Sequence, residues 1–500
     1  MDIQPFFRIP ISESEGKLLR LLVRSRIGGL IMSERGADGP EGLDAFFKAR
    51  SVAVIGASSR PGKIGHEILR NLALYEYRGR VYPINPRADE ILGLKCYRSV
   101  LDVSDDIDLA VIAVGSEATP KVIEECGRKG VKAIVIVSGG FKELGGRYKD
   151  VEAEVVRIAR AYGMRIIGPN CIGVFDAETR LDTFFQARER MLRPPKGPVA
   201  FMTQSGTFGC TMLEWAAEAG LGISKFVSYG NRCDVDEADL ILYFAQDPDT
   251  RVIAIYLEGL SDGRKFMEAA REVAPKKPIV VLKAGRTEAG SKAALSHTGW
   301  LAGTAAIYDA AFKQCGVIQA KNFEELFDMV KALALQPPAK GRRIAMITNG
   351  AGPCVMAADA CVEKGLELAR YEPETVEKLK AELPPFCIPG NPVDLTGSAT
   401  SHEYEVGMEA LLADPNVDIL MPFFVFQDTP LDERIIDVVA EMRSHGKPII
   451  CCAAGGPYTR RQAKKLEELG VPVYPIPERA VAAAYALAIY GEIRRHGRYT

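Results

Sequence analysis

Three times the chain passes from a β-branched apolar run through glycines into apolar residues at helical spacing, which predicts a strand, a turn and a crossover helix. The first passage is Ser51-Val52-Ala53-Val54-Ile55 before Gly56-Ala57-Ser58-Ser59. The second is Val199-Ala200-Phe201-Met202 before Thr203-Gln204-Ser205-Gly206-Thr207, and the third is Ile344-Ala345-Met346-Ile347 before Thr348-Asn349-Gly350-Ala351-Gly352-Pro353. Further apolar runs follow within each unit: Asp108 to Val114 and Ala133 to Val137, Val252 to Leu257 and Pro278 to Leu282, Ile419 to Phe423 and Pro448 to Cys452. Runs this unbroken suit strands buried on both faces of a parallel sheet. Pro194-Pro195-Lys196-Gly197 and Pro337-Pro338-Ala339-Lys340-Gly341 precede the second and third passages and cannot continue a helix, so they mark boundaries. The expected architecture is α/β, with three consecutive Rossmann-like or flavodoxin-like doubly wound parallel-sheet domains. They cover residues 43–190, 196–335 and 340–500, after an N-terminal extension over 1–42.

Composition narrows the classes without naming one. A length of 500 residues fits three units of about 100 to 200 residues each. With 63 basic and 65 acidic residues and a net charge of −2, no field over the whole molecule selects nucleic acid or an anionic membrane. The 11 cysteines form no C-x-x-C pair and lie in apolar stretches such as Cys451-Cys452. That usage predicts reduced core thiols in a cytoplasmic protein, with neither a disulfide framework nor a zinc site. No transmembrane run appears, and an N-terminus carrying Asp2, Glu13 and Glu15 does not read as a signal peptide.

Ligands of doubly wound sheets sit at the carboxyl ends of strands, so the glycine turns are where chemistry is sought. Gly56 to Gly65, with Ala57, Ser58 and Lys63 inside it, makes a turn suited to a pyrophosphate at a helix start, though its spacing is not G-x-G-x-x-G. The next strand, Arg80 to Ile84, ends in Asn85-Pro86-Arg87, where an NAD enzyme would carry Asp or Glu for the ribose hydroxyls. Arginine there favours a phosphorylated ribose, which leaves both coenzyme A and NADP open. In the second unit, Gln204-Ser205-Gly206-Thr207 opens a helix whose free amides and dipole can hold a phosphate. The sharpest feature is Ala294-Leu295-Ser296-His297-Thr298-Gly299, which holds one of only five histidines. A neutral imidazole is a nucleophile at physiological pH, and small hydroxyl-bearing neighbours leave room for a phosphoryl group. Glu258, just past the run ending at Leu257, can accept the second N–H of that imidazole.

Taken with Ser138-Gly139-Gly140-Phe141, Ile167-Gly168-Pro169-Asn170-Cys171-Ile172-Gly173, Lys283-Ala284-Gly285-Arg286 and Asn391-Pro392-Val393-Asp394-Leu395, these stretches have a familiar order. From about Gly42 to its end, the chain resembles the α subunit of ADP-forming acyl-CoA (acetyl-CoA) synthetases, in the succinyl-CoA synthetase superfamily. The resemblance implies that the first unit binds CoA, with Ser138, Gly139, Asn170 and Cys171 joining the glycine turn, Asn85 and Arg87 as its contacts. It also implies that His297 is phosphorylated in turnover and that Glu258 orients it. Acyl-CoA and phosphate would give acyl phosphate and CoA, His297 would take the phosphoryl group, and ADP would receive it, acetate being the default acid. No ATP-grasp domain is legible in the chain, so the resemblance implies a separate ATP-grasp β subunit in a hetero-oligomer, carrying ADP or ATP and magnesium, with no metal ligands assigned here. Two other readings stand beside it: a non-catalytic CoA-binding sensor or scaffold with the same fold, and an NADP dehydrogenase, which leaves His297 unexplained.

Overall fold

The apolar runs form the central strands of three sheets in a computed structural model that describes residues 42–290 and 305–499. In the first sheet the order is Arg80–Ile84, Ser51–Ile55, Leu109–Ile112, Ala133–Ile136 and Arg165–Ile167, all parallel. The second runs Val317–Ala320, Ile279–Lys283, Val252–Leu257, Lys196–Thr203 and Ile223–Ser228, again parallel, and then adds Gly173–Asp176 and Leu181–Asp182 antiparallel. The third is built around Arg343–Thr348 and Ile419–Phe423, with Cys451–Cys452 and Val473–Tyr474 beyond them. The fold is therefore α/β with three doubly wound, parallel-dominated sheets.

In each sheet the first strand of the unit lies inside, and the chain winds first to one side and then to the other. The strand order therefore reverses beside Ser51–Ile55, beside Lys196–Thr203 and beside Arg343–Thr348, and a crevice opens there at the carboxyl edge. Gly56 follows the first of these strands, and Gln204 the second.

One pairing departs from the sequence-derived boundaries. The hairpin Gly173–Asp176 and Leu181–Asp182 falls within residues 43–190, yet it hydrogen-bonds to the edge of the second sheet through Ile223–Ser228. Charge explains its place: Lys225, 2% exposed, points its ammonium at Asp176 (3.1 Å) and at Asp247 (3.0 Å). A buried ammonium without carboxylates is strongly destabilising, so the hairpin that supplies Asp176 belongs with that strand and also covers its edge.

The third unit closes back on the second through the 20-residue helix Pro477–His496, which is buried along most of its length. Arg479 forms a two-pronged pair with Asp328 at 2.7 Å on each arm, and the Tyr490 hydroxyl donates to the Lys276 carbonyl at 3.2 Å. One apolar cluster runs through all three units, from Leu43 to Tyr499, beside a second within the third unit and another within the first. Among the described residues, no helix is long and apolar enough to cross a membrane.

Candidate functional site

The first crevice is assembled around glycines that cannot be replaced without moving backbone. Gly56 has φ +92°, and a Cβ there would lie 2.8 Å from the Ala113 carbonyl oxygen. A Cβ on Gly65 would come within 2.0 Å of the Gly56 carbonyl oxygen, so the helix Ile64–Leu74 begins pressed beneath the turn. The turn is tied from three directions: Asn85 Nδ2 donates to Ala57 O (2.8 Å), Gly62 N to Glu67 Oε1 (2.8 Å), and His66 Nδ1 meets Ser58 O at 2.8 Å. Asn85 is thus engaged in holding the turn, and its oxygen also accepts from Arg87 N at 2.8 Å. Lys63 and Arg87 stay exposed on this same edge. Overpacking here costs about 1–3 kcal/mol. Gly65→Ala should accordingly force the turn open and lower the stability of the chain by about 1–3 kcal/mol, as read by calorimetry.

The second crevice holds the phosphate-type helix start. Ser205 caps Gly206–Glu218 by accepting from Phe208 N (3.3 Å), and Thr203 Oγ1 both donates to Ser205 O (2.8 Å) and accepts from Ser205 N (3.1 Å). The amides of Gly206 and Thr207 belong to the first turn, where helical N–H groups have no intrahelical acceptor. Glu258 stands across the crevice at the end of Val252–Leu257, and three side chains from three elements hold its turn. Gln204 Oε1 accepts from the N–H groups of Glu258 and of Gly259, the latter at 3.0 Å. Arg232 donates to Gly259 O while paired with Glu237, and Tyr308 Oη accepts from Leu260 N at 3.3 Å. Gln204 therefore acts through its side chain on the Glu258 turn, a role its place among the phosphate candidates did not suggest. Burial, assisted by Glu258, pushes the Tyr256 hydroxyl up to about 12, and its ring stacks on Phe208 at 4.0 Å.

Between the two crevices lies a cavity of about 440 Å³, lined by Gln204, Ser205, Gly206, Thr207 and Glu258 from the second unit and by Asn170, Cys171 and Glu143 from the first. Asn170 is held in the left-handed region (φ +58°), and its N–H donates to Ser138 O at 2.9 Å. Gly139 sits so near that a Cβ would be 3.2 Å from Asn170 Oδ1. Cys171 lines the cavity with its thiol turned into the wall: burial pushes that thiol up to about 12, and Sγ is 3.3 Å from Ile136 O. His297 lies outside the described residues, but both flanks of 291–304 reach the Glu258 turn. On one side Lys283 ends the strand paired with Val252–Leu257, and on the other Tyr308 touches Leu260. Arg286 and Asp309 join the two flanks at 3.0 Å.

Comparison with known proteins agrees with this layout. Family models match a CoA binding domain at residues 50–177, a succinyl-CoA ligase-like flavodoxin domain at 196–333 and a ligase-CoA domain at 344–495. The α subunit of acetate–CoA ligase (ADP-forming) II from Pyrococcus furiosus is 44% identical over 451 residues, covering 89% of this chain and 97% of that one. The α subunit of form I from the same organism is 45% identical over 456 residues, with the same coverage. A dinucleotide-forming acetyl-coenzyme A synthetase 1 of Ca. Korarchaeum cryptofilum, solved in complex with phosphate and ADP, superposes with a TM-score of 0.84. It is 42% identical over 91% of this chain and 98% of that one.

The chain belongs to the family of ADP-forming acetate–CoA ligase α subunits.

Within this member of the family, the structure adds residues to the cavity that the sequence did not single out. Glu143 accepts from Gly140 N (2.6 Å), Phe141 N (3.1 Å) and Asn231 Nδ2 (2.5 Å). Burial alone would raise this carboxyl, but the Asn231 amide and the Phe141 and Gly140 N–H groups hold it below its ordinary value. Asn231 also donates to Glu152 (3.0 Å), and Lys142 donates to Asn231 O (2.5 Å), so a charged seam locks the second unit onto the first at the cavity rim. Glu143 lies two residues beyond the Ser138-Gly139-Gly140-Phe141 stretch, which was the available signal. Asn231 and Arg232 follow a strand whose polar residues concealed it.

Proposed function

We propose that the chain is the α subunit of an ADP-forming acyl-CoA synthetase, acetate being the default acid, that interconverts acyl-CoA, phosphate and ADP with acid, CoA and ATP. The observation that carries this reading is that the capped helix start at Ser205–Thr207 and the braced Glu258 turn open onto one cavity. That cavity borders the unit whose glycine turn suits a phosphorylated coenzyme. Gly56, Ala57, Ser58 and Lys63 cradle the CoA pyrophosphate, and Arg87 pairs with the ribose phosphate. A phosphate oxygen attacks the thioester carbonyl, the C–S bond breaks, and CoA leaves as a thiol after taking a proton. An imidazole nitrogen of His297 then attacks phosphorus, the P–O bond to the acyl group breaks, and the carboxylate departs. Helix amides stabilise charge on the phosphoryl oxygens, and Glu258 stabilises positive charge on the ring.

The phosphoryl group passes from His297 to a terminal oxygen of ADP on a separate ATP-grasp β subunit, with magnesium bound alongside the nucleotide, in a cytoplasmic hetero-oligomer. The sensor reading is disfavoured, because a binder has no physical need for three side chains bracing one carboxylate turn opposite a phosphate-type helix start.

Two measurements test the assignments. Calorimetry should show dephospho-CoA binding more weakly than CoA, with Arg87→Ala removing the difference; a preference for NADP would revive the dehydrogenase reading. Glu258→Gln should slow phosphorylation of His297 about 10- to 100-fold, the usual cost of losing a carboxylate that orients an imidazole ligand. CoA affinity should hardly move. A parental rapid-quench rate in this variant would return Glu258 to an ordinary strand-end acid.

A further inference from the structure

Four consecutive residues after the strand Ile223–Ser228 each meet a different part of the site. Tyr229 N donates to Thr203 O at 3.0 Å, and Thr203 is the residue that holds Ser205 at the helix start. Gly230 lies so close to the first unit that a Cβ on it would be 2.3 Å from the carbonyl oxygens of both Pro169 and Asn170. Asn231 N donates to that Pro169 oxygen at 2.9 Å, and its side chain crosses to Glu143 and Glu152. Arg232 turns the other way and donates to Gly259 O, beside Glu258. Gly230 and Arg232 both take left-handed backbone, at φ +49° and +47°. That region is uncommon for arginine and costs free energy, so contacts on both sides hold the conformation that sends residue 231 to one unit and residue 232 to the other.

Asn231 suits its place because a primary amide offers two hydrogens and an acceptor without a charge. Its Nδ2 donates to Glu143 Oε2 (2.5 Å) and Glu152 Oε2 (3.0 Å), and its Oδ1 accepts from Asn170 Nδ2 (3.5 Å). Lys142 completes the group, donating to Asn231 O at 2.5 Å and pairing with Glu152 at 3.1 Å. Glu143, Asn170, Gly230 and Asn231 all line the cavity between the crevices. The geometry points to Asn231 as a positioning residue that sets the register of the two crevices, so that a thioester carried by the first unit meets a phosphate held on the second. The inference rests on the reaction proposed above and adds the residue that fixes the distance between its reactants. Reacting atoms must lie about 3–3.5 Å apart, and a misplacement of about 1 Å costs on the order of 100-fold in rate. Coenzyme and phosphate each bind within one unit, whereas the step that joins them spans both. Loss of Asn231 therefore acts on turnover and spares affinity.

The test follows thiol release from acetyl-CoA and phosphate by the full chain, with CoA affinity read by calorimetry. Asn231→Ala should lower kcat on the order of 100-fold while CoA affinity and the KM for phosphate stay within about twofold of wild type. Asn231→Asp should be slower still, because a third carboxylate then faces Glu143 and Glu152. Combining Asn231→Asp with Glu143→Gln exchanges amide and carboxylate across the junction and keeps an acceptor for Gly140 N and Phe141 N. That double variant should recover about tenfold of the loss, a coupling that independent sites do not show. A residue that merely stabilised the fold would lower the melting temperature and leave kcat of the folded protein at its wild-type value. Should either single variant fail to fold, Asn231→Ser decides, since a hydroxyl offers one hydrogen in place of two. A wild-type kcat in the folded variant, or a loss carried wholly by CoA affinity, overturns the inference and leaves the proposed reaction standing. A wild-type chain that binds CoA yet releases no thiol overturns both.

Discussion

His297→Ala is expected to abolish both phosphorylation of the chain and acyl-CoA synthesis while leaving CoA affinity within about twofold of wild type, a difference of under 0.5 kcal/mol. The loss should be complete because covalent catalysis splits one transfer into two through this nitrogen, and no neighbouring group can take its place. Ser296 and Thr298 flank it, but hydroxyls have no free electron pair of comparable nucleophilicity at neutral pH without a base beside them. Chemical lability separates the candidates: a P–N label is lost in acid and kept in alkali, whereas phosphoserine is lost in alkali. Mass spectrometry should place the wild-type label on His297. Label retained in His297→Ala, or full synthesis by that variant, would sink the mechanism. CoA binding should persist because the glycine turn is held by Asn85, Glu67 and His66 within its own unit.

An equally large effect is expected from composition of the complex. The purified chain alone, given acyl-CoA, phosphate and ADP, should form no ATP, and addition of an ATP-grasp β subunit should restore synthesis. The three units that the chain folds into are all doubly wound sheets, and their crevices supply a glycine turn and a capped helix start. Acyl phosphate formation should survive in the isolated chain, since all its proposed groups belong to the chain itself. Detection of acetyl phosphate and free thiol without ATP would divide the reaction at the proposed place. Sustained ATP formation by rigorously pure chain would defeat the two-subunit reading.

Much of the fold was legible because its information is local. Val252 to Leu257 and Ser51 to Ile55 announced buried strands by unbroken apolar runs, and both strands have those bounds in the structure. Glycines after the first strands marked the crevices, since a close turn beneath a helix admits no Cβ, as Gly56 and Gly65 show. The strand Ile223–Ser228 was not legible, because Ser224, Lys225 and Ser228 interrupt its apolar pattern. Each of those polar groups is buried against a distant partner: Ser224 meets Thr250 at 2.8 Å, Lys225 pairs with Asp176 and Asp247, and Ser228 accepts from Ile172 N at 3.3 Å.

The candidate site divides in the same way. By itself the sequence determined the α/β class, the three glycine-marked crevices, and residue types suited to phosphate and CoA, all properties of short windows read at a strand or helix period. Only the tertiary structure decided that the hairpin at 173–182 serves the second sheet, that Gln204 braces a turn 55 positions away, and that Glu143 meets Asn231 across 88. It also decided that Lys283 pairs in register with Leu257, the residue before Glu258. A carboxylate, an amide or an ammonium has the same letter whether solvated or buried, and its role is set by whichever charges and donors the packed sheets bring within a few ångströms of it.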